Sequence, residues 1–332
     1  MQYKDGLSIV IVNYFCENDI TTLVESICTT CTLEKFEFVI VSNSPSDFQW
    51  DEKTRQKYNI IIIDSGSNIG FGRAMNLGVA HASYPYVCLS NPDIEIPTGT
   101  LEKLYEFFNS TEESVAAISC LIRNSEGLIQ NSFVFDNGLD KKSFALHYLK
   151  LILPGFIRKT VFRDKAYENK TSSEHHYHEP FEVAGLYGAF LIVRKTAFEA
   201  LKGFDPDFFM YYEDDELLRH RLPQKYKSMI YPQAEITHQV GKTDKYGLMS
   251  DQMQLSFLLF LKKLGYYYLV IALITLSIKY SLLYLHTLIK PRKERREAIR
   301  FFKSFKYLGR VLQTPKGYGQ RSNCLKLDEI PE

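Results

Sequence analysis

Short unbroken apolar runs and segments of helical spacing take turns over the first ninety residues. The runs are LSIVIVNY (Leu7–Tyr14), FEFVIVS (Phe36–Ser42), IIIID (Ile60–Asp64) and YVCLS (Tyr86–Ser90). They are rich in β-branched and aromatic residues and lack polar alternation, which reads as strands buried on both faces. Helical segments fall near Ile20–Thr30 and over Gly70–Ala82. Strand alternating with helix predicts an α/β domain with a largely parallel sheet. The pattern continues with a helix over Thr98–Asn109 and strands near Val115–Ile122 and Ile129–Phe135. Phe144–Phe162 is apolar but broken at Pro154-Gly155, and Arg163–Glu179 reads as a polar loop. Order returns with a strand at Gly188–Val193 and a helix after it.

Composition narrows the class. The chain has 332 residues, of which 45% are hydrophobic, enough for a large core. Forty basic and 39 acidic side chains give a formal charge of +1, which argues against a general nucleic-acid-binding surface. The charge is uneven: Lys290–Arg310 holds nine Lys or Arg and two Glu, a local net of +7. The six cysteines form no disulfide framework, and several sit in apolar runs, which fits a reducing compartment. Cys28-Thr29-Thr30-Cys31 lacks a second pair or a nearby His, so neither zinc nor redox chemistry is expected there. The short apolar run near the N-terminus has no small-residue cleavage site and is not read as a signal peptide.

Candidate chemistry gathers where apolar runs stop. Ser90-Asn91-Pro92-Asp93 ends the fourth strand, and the ends of parallel strands are where ligands bind in open α/β sheets. Asn-Pro and Pro-Asp are also ordinary turn chemistry. Glu213-Asp214-Asp215-Glu216 follows the aromatic run Phe208–Tyr212; such carboxylates either complement a helix start or face a cleft. His238 follows a strand-like segment. Glu174, His175, His176, His178 and Glu179 resemble a metal cluster by composition but lie in a polar loop. The stretch SNIGFGRAMNLG carries Gly70, Gly72 and Gly78, which match neither the dinucleotide fingerprint nor a P-loop. A helix start with close backbone approach can still hold an anion, with Arg73 beside it.

In order, SIVIVNY, SNIGFGRAMNLG, LSNPDIEIP, GLYGAFLIVRKTAFEALKGFDPDFFMYYEDDELLRHR and ITHQVG resemble the family 2 glycosyltransferases, in their rhamnosyltransferase-like branch. The resemblance runs from about Leu7 to Lys263. It implies a GT-A fold, the Rossmann-like mixed sheet of nucleotide-diphospho-sugar transferases, over residues 1–263. It implies an inverting transferase that moves rhamnose or a similar sugar from a dTDP- or UDP-sugar to a lipid-linked saccharide in bacterial surface polysaccharide synthesis. Asp93 and His238 would bind Mg2+ or Mn2+, and Asp214 of the Glu213-Asp214 pair would be the general base, with Asp215 as second choice. The donor would lie against Asn13, Tyr14, Ser42, Asn43, Asn68, Gly70, Arg73, Asn76 and Asn91. Two positions depart from the family pattern. Asn91 replaces the first carboxylate of Asp-x-Asp, and Ser42 replaces the Asp that reads the base, leaving Asn43, Asp47 or Asp64 as substitutes. A sugar-nucleotidyltransferase would need a glycine-rich, Arg-containing loop after the first strand, where NYFCENDI stands. A non-catalytic sugar-nucleotide or scaffold protein would not need Asp93, Asp214 and His238 together.

Residues 264–332 read as a helical, basic, membrane-associating region. Tyr266–Ile278 is apolar, then Lys279 interrupts it, short of the ~20 residues a span needs. A span with Lys290–Arg310 kept cytoplasmic would also put the catalytic domain outside, away from nucleotide sugars. An in-plane helix avoids both problems, and Tyr266, Tyr267, Tyr268, Tyr280 and Tyr284 suit the membrane interface. The expectation is a protein on the cytoplasmic face of the membrane, with a catalytic fold that survives removal of everything past Lys263.

Overall fold

The computed structural model describes residues 5–45, 48, 50–130, 132–136, 138–153, 177–239, 248–286, 293–321, 323–328 and 330. Asp47, the Pro154-Gly155 break, most of the polar loop with Glu174, His175 and His176, and Val240 onward in ITHQVG lie outside them. The first half runs β1 (Leu7–Asn13), α1 (Glu17–Thr30), β2 (Phe36–Ser42), α2 (Glu52–Lys57), β3 (Ile60–Asp64), α3 (Phe71–His81), β4 (Tyr86–Ser90), β5 (Ile94–Glu95), α4 (Thr100–Ser110) and β6 (Val115–Arg123). Next come β7 (Phe133–Val134), α5 (Lys141–Ile152), β8 (Phe181–Val183), β9 (Gly185–Leu186), β10 (Phe190–Arg194), α6 (Lys195–Ala200), a π-helical turn (Asp215–Arg221) and β11 (Lys227–His238). Among the described residues, α7 (Leu248–Leu264), α8 (Tyr266–His286), α9 (Lys293–Ser304) and α10 (Leu308–Gln313) follow.

The main sheet has the order β3-β2-β1-β4-β10-β6-β11-β5, with β8 also on β11. β3, β2, β1 and β4 are parallel, as the apolar runs predict. β10 is antiparallel to both β4 and β6, so the sheet is mixed, in line with the implied fold and against a largely parallel one. Ile129–Phe135 forms only a bridge at Ile129 and the two-residue β7 rather than a full strand.

The apolar runs divide by residue size across the sheet. Ile9, Ile11, Phe38 and Ile40 face one side and pack with α1 and α4 through Ile20, Leu23, Ile27 and Leu104. Val10, Val12, Val39 and Val41 face the other, under Ala74, Met75 and Val79 of α3. The smaller side chains fit because α3 approaches closely at Gly78, where a Cβ would sit 2.4 Å from Val10 Cγ1. Period-two alternation therefore exists in side-chain volume, although polarity hides it.

A third core lies under the loop that precedes the acidic run Glu213–Glu216. Phe144 and Tyr148 of α5, Phe208 and Phe209, Leu255, Leu259 and Leu261 of α7, and Ala272 of α8 pack with Leu325, Leu327 and Ile330 of the tail. Its polar members are buried too. Lys263 Nζ lies 2.8 Å from Asp205 Oδ2 and 2.5 Å from Asp207 Oδ2, and donates to Gly317 O at 2.6 Å. Lys262 Nζ donates to the carbonyls of Val311, Leu312 and Thr314, capping the C-terminal end of α10. Gln252 pairs with Leu325 O and Leu327 N. Across residue 263 the tail returns to the loop that precedes the acidic motif, with Arg321 N and Leu325 N donating to Asp207.

Candidate active site

The strand ends bring the metal candidates together. β5 pairs with β11 so that His238 stands opposite Ile94, next to Asp93. His238 Nε2 lies 3.3 Å from Asp93 Oδ1 and 3.5 Å from Asn91 Nδ2. Gln130 fixes the ring: its Oε1 lies 3.2 Å from His238 Nδ1, and its Nε2 donates to His238 O. A proton on Nδ1 turned to Gln130 leaves the Nε2 lone pair facing Asp93. Two cis donors to one small divalent ion stand about 3 Å apart, so the pair fits such an ion, with oxygen and nitrogen chemistry that magnesium or manganese accepts. Among the described residues no third His, Cys, Asp or Glu joins them, and Asn91 supplies no charge.

Asp214 stands against Gly188, just before β10. Its Oδ2 accepts from Gly188 N at 3.0 Å and its Oδ1 from Asp215 N at 2.9 Å. Gly188 permits the approach, since a Cβ there would lie 3.0 Å from Asp214 Cβ. The next residue, Ala189, accepts from Asn91 N at 2.9 Å. One dipeptide thus joins the Asp93 loop to Asp214.

The acidic tetrad separates by environment. Asp215 pairs with Arg219, whose guanidinium lies 5.5 Å from the Tyr187 ring centre. Burial, then the Asp214 charge, raises the Asp215 carboxyl to about 6. Glu216 is buried against Arg221 at 2.6 Å. Glu213, expected beside Asp214 in the catalytic pair, is buried with its Cγ 3.3 Å from the Cβ position of Gly72, beneath α3. Burial and the Asp214 charge push its carboxyl well up, and Oε2 has no hydrogen-bond partner among the described residues. Glu213 is thus packed beneath α3. Asp214 is the half-buried carboxylate bound through backbone N–H groups.

The run before the tetrad is strained. Tyr211 and Tyr212 have φ of 70° and 66°, unusual for bulky side chains and costing roughly 1–3 kcal/mol each. Helix α7 holds them there. Ser256 Oγ donates to Met210 O at 2.7 Å, and the Tyr212 ring lies 5.4 and 5.6 Å from Phe257 and Phe260. Most of the aromatic run is thereby packing.

The donor candidates fare unevenly. Asn13 is wholly buried; its amide donates to Glu17 and Ser42 and accepts from Cys16 N, fixing the turn after β1. Asn76 grips Phe204 through both its N–H and C=O. Asn43 joins Gly70 O to Ser65 Oγ, and Ser42 Oγ donates to Ser44 O. In the fold these four side chains pair with neighbouring groups, ties that shape the segments around them. Gly70 has φ 89°, and a Cβ there would meet Phe209 O at 2.3 Å. Asn68 Oδ1 accepts from Gly70 N, and Arg73 Nε donates to Pro206 O at 2.7 Å. Tyr14 is exposed beside Phe15, and Asp64 is exposed at the end of β3. His178 is exposed as well.

Residues 8–200 match the family model described as glycosyl transferase family 2. The chain belongs to glycosyltransferase family 2. It is 30% identical over 218 residues to the low-salt glycan biosynthesis hexosyltransferase Agl10 of Haloferax volcanii, covering 64% of this chain and 60% of that protein, so it spans about three fifths of that relative. It is 25% identical over 247 residues to the N-acetylglucosaminyl-diphospho-decaprenol L-rhamnosyltransferase of Mycobacterium tuberculosis, covering 70% of this chain and 76% of that one. The mannosyltransferase PcManGT of Pyrobaculum calidifontis, solved with GDP-Man and Mn2+, superposes with a TM-score of 0.53 at 14% identity over 94% of this chain and 88% of that one. TarS of S. aureus, solved with UDP, gives 0.51 at 15% identity over 93% and 81%. These likenesses establish the GT-A fold. Sequence reasoning missed Gln130 and Gly188, which bear no chemistry of their own and act through His238 and Asp214.

Proposed function

We propose that this family 2 protein is an inverting, divalent-metal-dependent glycosyltransferase. It moves rhamnose or a similar sugar from a dTDP- or UDP-sugar to a lipid-linked saccharide in surface polysaccharide synthesis, O-antigen or capsule, at the cytoplasmic face of the inner membrane. The observation that carries the reading is the Gly188-Ala189 bridge. It ties the loop that carries Asp93, beside His238, to the half-buried carboxylate Asp214.

The chemistry follows from that placement. Asp93 and His238 would hold the cation, which when bound neutralises charge on the departing diphosphate. Asp214 takes the proton from the acceptor hydroxyl as its oxygen attacks the anomeric carbon opposite the diphosphate, inverting the centre in one displacement. Such base assistance is worth ~10²–10⁴-fold. Asp64, exposed at the end of β3, is the substitute we assign to the donor base in place of Ser42. A thermal-shift panel with UDP, dTDP, GDP and CDP identifies that base. Asp214→Asn should lose ~10²–10⁴ in kcat while nucleotide binding persists. Retention of more than about a tenth of the rate removes Asp214 from the base role. Asp93→Ala should weaken Mn2+ and nucleotide binding together; unchanged binding of both ends the metal assignment.

A further inference from the structure

Helix α8 is longer than its sequence suggests. Apolar character resumes after Lys279, and Tyr266–Leu285 has a mean hydropathy of 1.8 over a continuous helix, long and apolar enough to cross a membrane by length and composition. At 1.5 Å per residue its 21 residues extend about 31 Å. Its packing tells against crossing. Leu269, Ala272 and Thr275 are buried, and the helix packs along α5, α7 and α9. Those neighbours carry charges: α5 starts with the exposed Lys141 and Lys142, and Arg300 of α9 pairs with Asp251 of α7 at 3.3 Å. A spanning α8 would take these charges into hydrocarbon or give up its buried face.

The other side of α8 is uncovered. Tyr266, Val270, Ile274, Ile278, Leu282 and Leu285 are exposed, Ile274 and Leu282 at 53% each. They fall on one side about 160° wide at 3.6 residues per turn. α9 continues this surface with exposed Ile299 and Phe302. Between the helices lies an apolar groove of about 670 Å³, lined by Ser281, Tyr284, Leu285, Ile299, Phe302 and Lys303. Arg296 and Lys303 are exposed along the same helix. Two of the tyrosines turn elsewhere: Tyr268 donates to Leu139 O and Tyr280 stacks on Phe301 at 4.7 Å, while Tyr284 lines the groove.

We infer that the α8–α9 face docks on an anionic bilayer with α8 lying in the membrane plane, its apolar side in the acyl boundary and lipid hydrocarbon filling the groove. The partner follows from charge. A continuous apolar stripe edged by cations matches hydrocarbon under anionic headgroups. A second copy of the same face would instead bring Arg296 and Lys303 against their equivalents. This deepens the membrane part of the proposed function but stands on the packing of α8, independent of the chemistry at Asp214.

The test uses the full chain and vesicles of phosphatidylcholine with or without phosphatidylglycerol. Binding should need the anionic lipid. Arg296→Gln and Lys303→Gln should each weaken it about fivefold, and Ile274→Glu with Ile278→Glu should remove it. Val270→Trp, Ile278→Trp and Leu285→Trp, each with Trp50→Phe, report depth by brominated-lipid quenching and keep the face apolar. Equal, shallow depth at all three supports the in-plane helix. A depth maximum at Ile278→Trp overturns it in favour of a span. Absence of vesicle binding overturns it as well, and a concentration-dependent dimer then names the second copy as occupant. Donor turnover in detergent, followed separately, reports on the proposed reaction whatever the vesicles show.

Discussion

The parallel half of the sheet and the helical layer under the Phe208–Tyr212 loop both bury continuous cores, yet different forces hold them. Strands β1, β2 and β4 with α1, α3 and α4 bury aliphatic side chains that come mostly from adjacent segments. The layer of α5, α7, α8, α10 and tail buries aliphatics as well, but around a charged centre. Lys263, Asp205 and Asp207 are nearly inaccessible and join chain segments more than fifty residues apart. The first region tolerates change in proportion to volume. The second depends on a few polar atoms that become costly when one is left alone.

Lys263→Met tests that contrast most severely. It leaves two buried carboxylates without their cation and should cost about 3–5 kcal/mol, read as the shift of a urea midpoint. A chain ending at Lys263 should fail to fold, since it lacks Leu325, Leu327 and Ile330 and the carbonyls that Lys262 and Lys263 bind. A folded, active truncate would show that the tail is dispensable and the layer is an appendage after all.

In the sheet half, Gly78→Ala places a methyl 2.4 Å from Val10 Cγ1. Overpacking of this kind costs roughly 1–3 kcal/mol. Combining it with Val10→Ala should recover part of the loss, because the clash is one of volume; no recovery would point to a backbone cause.

Glu213→Gln should have the smallest effect, and of opposite sign. Burial raises the Glu213 carboxyl well above its ordinary value. The folded state therefore binds this proton more tightly than the unfolded state does. The associated stability is fully present below the unfolded value, about 4.5, and is lost as pH rises through the folded value. Glutamine keeps a neutral group at every pH, so the variant's advantage in Tm should grow with pH over that window. An advantage that is flat with pH would mean that Glu213 is not titrating there.

The acidic tetrad shows how far the site is legible from residues alone. Four carboxylates in a row are equivalent on paper apart from the family motif. Burial beneath Gly72, pairing with Arg219 and pairing with Arg221 remove Glu213, Asp215 and Glu216 in turn. The asparagines show the same limit: Asn13, Asn43 and Asn76 carry ligand-like amides, and the fold engages them with Cys16 N close by and with Gly70 O and Phe204 N far along the chain.

What the sequence determined by itself is local or additive. Unbroken apolar runs specify doubly covered strands, glycines specify close approaches, and the ordered motifs specify the family. Only the tertiary structure decided that β10 runs antiparallel between β4 and β6, that the tail closes over Asp207, and that α8 buries one side while exposing the other. Each depends on pairing between segments distant in the chain. Periodicity reports which side of a segment is apolar, but a uniformly apolar helix such as α8 carries no such sign, and its neighbours alone choose the face.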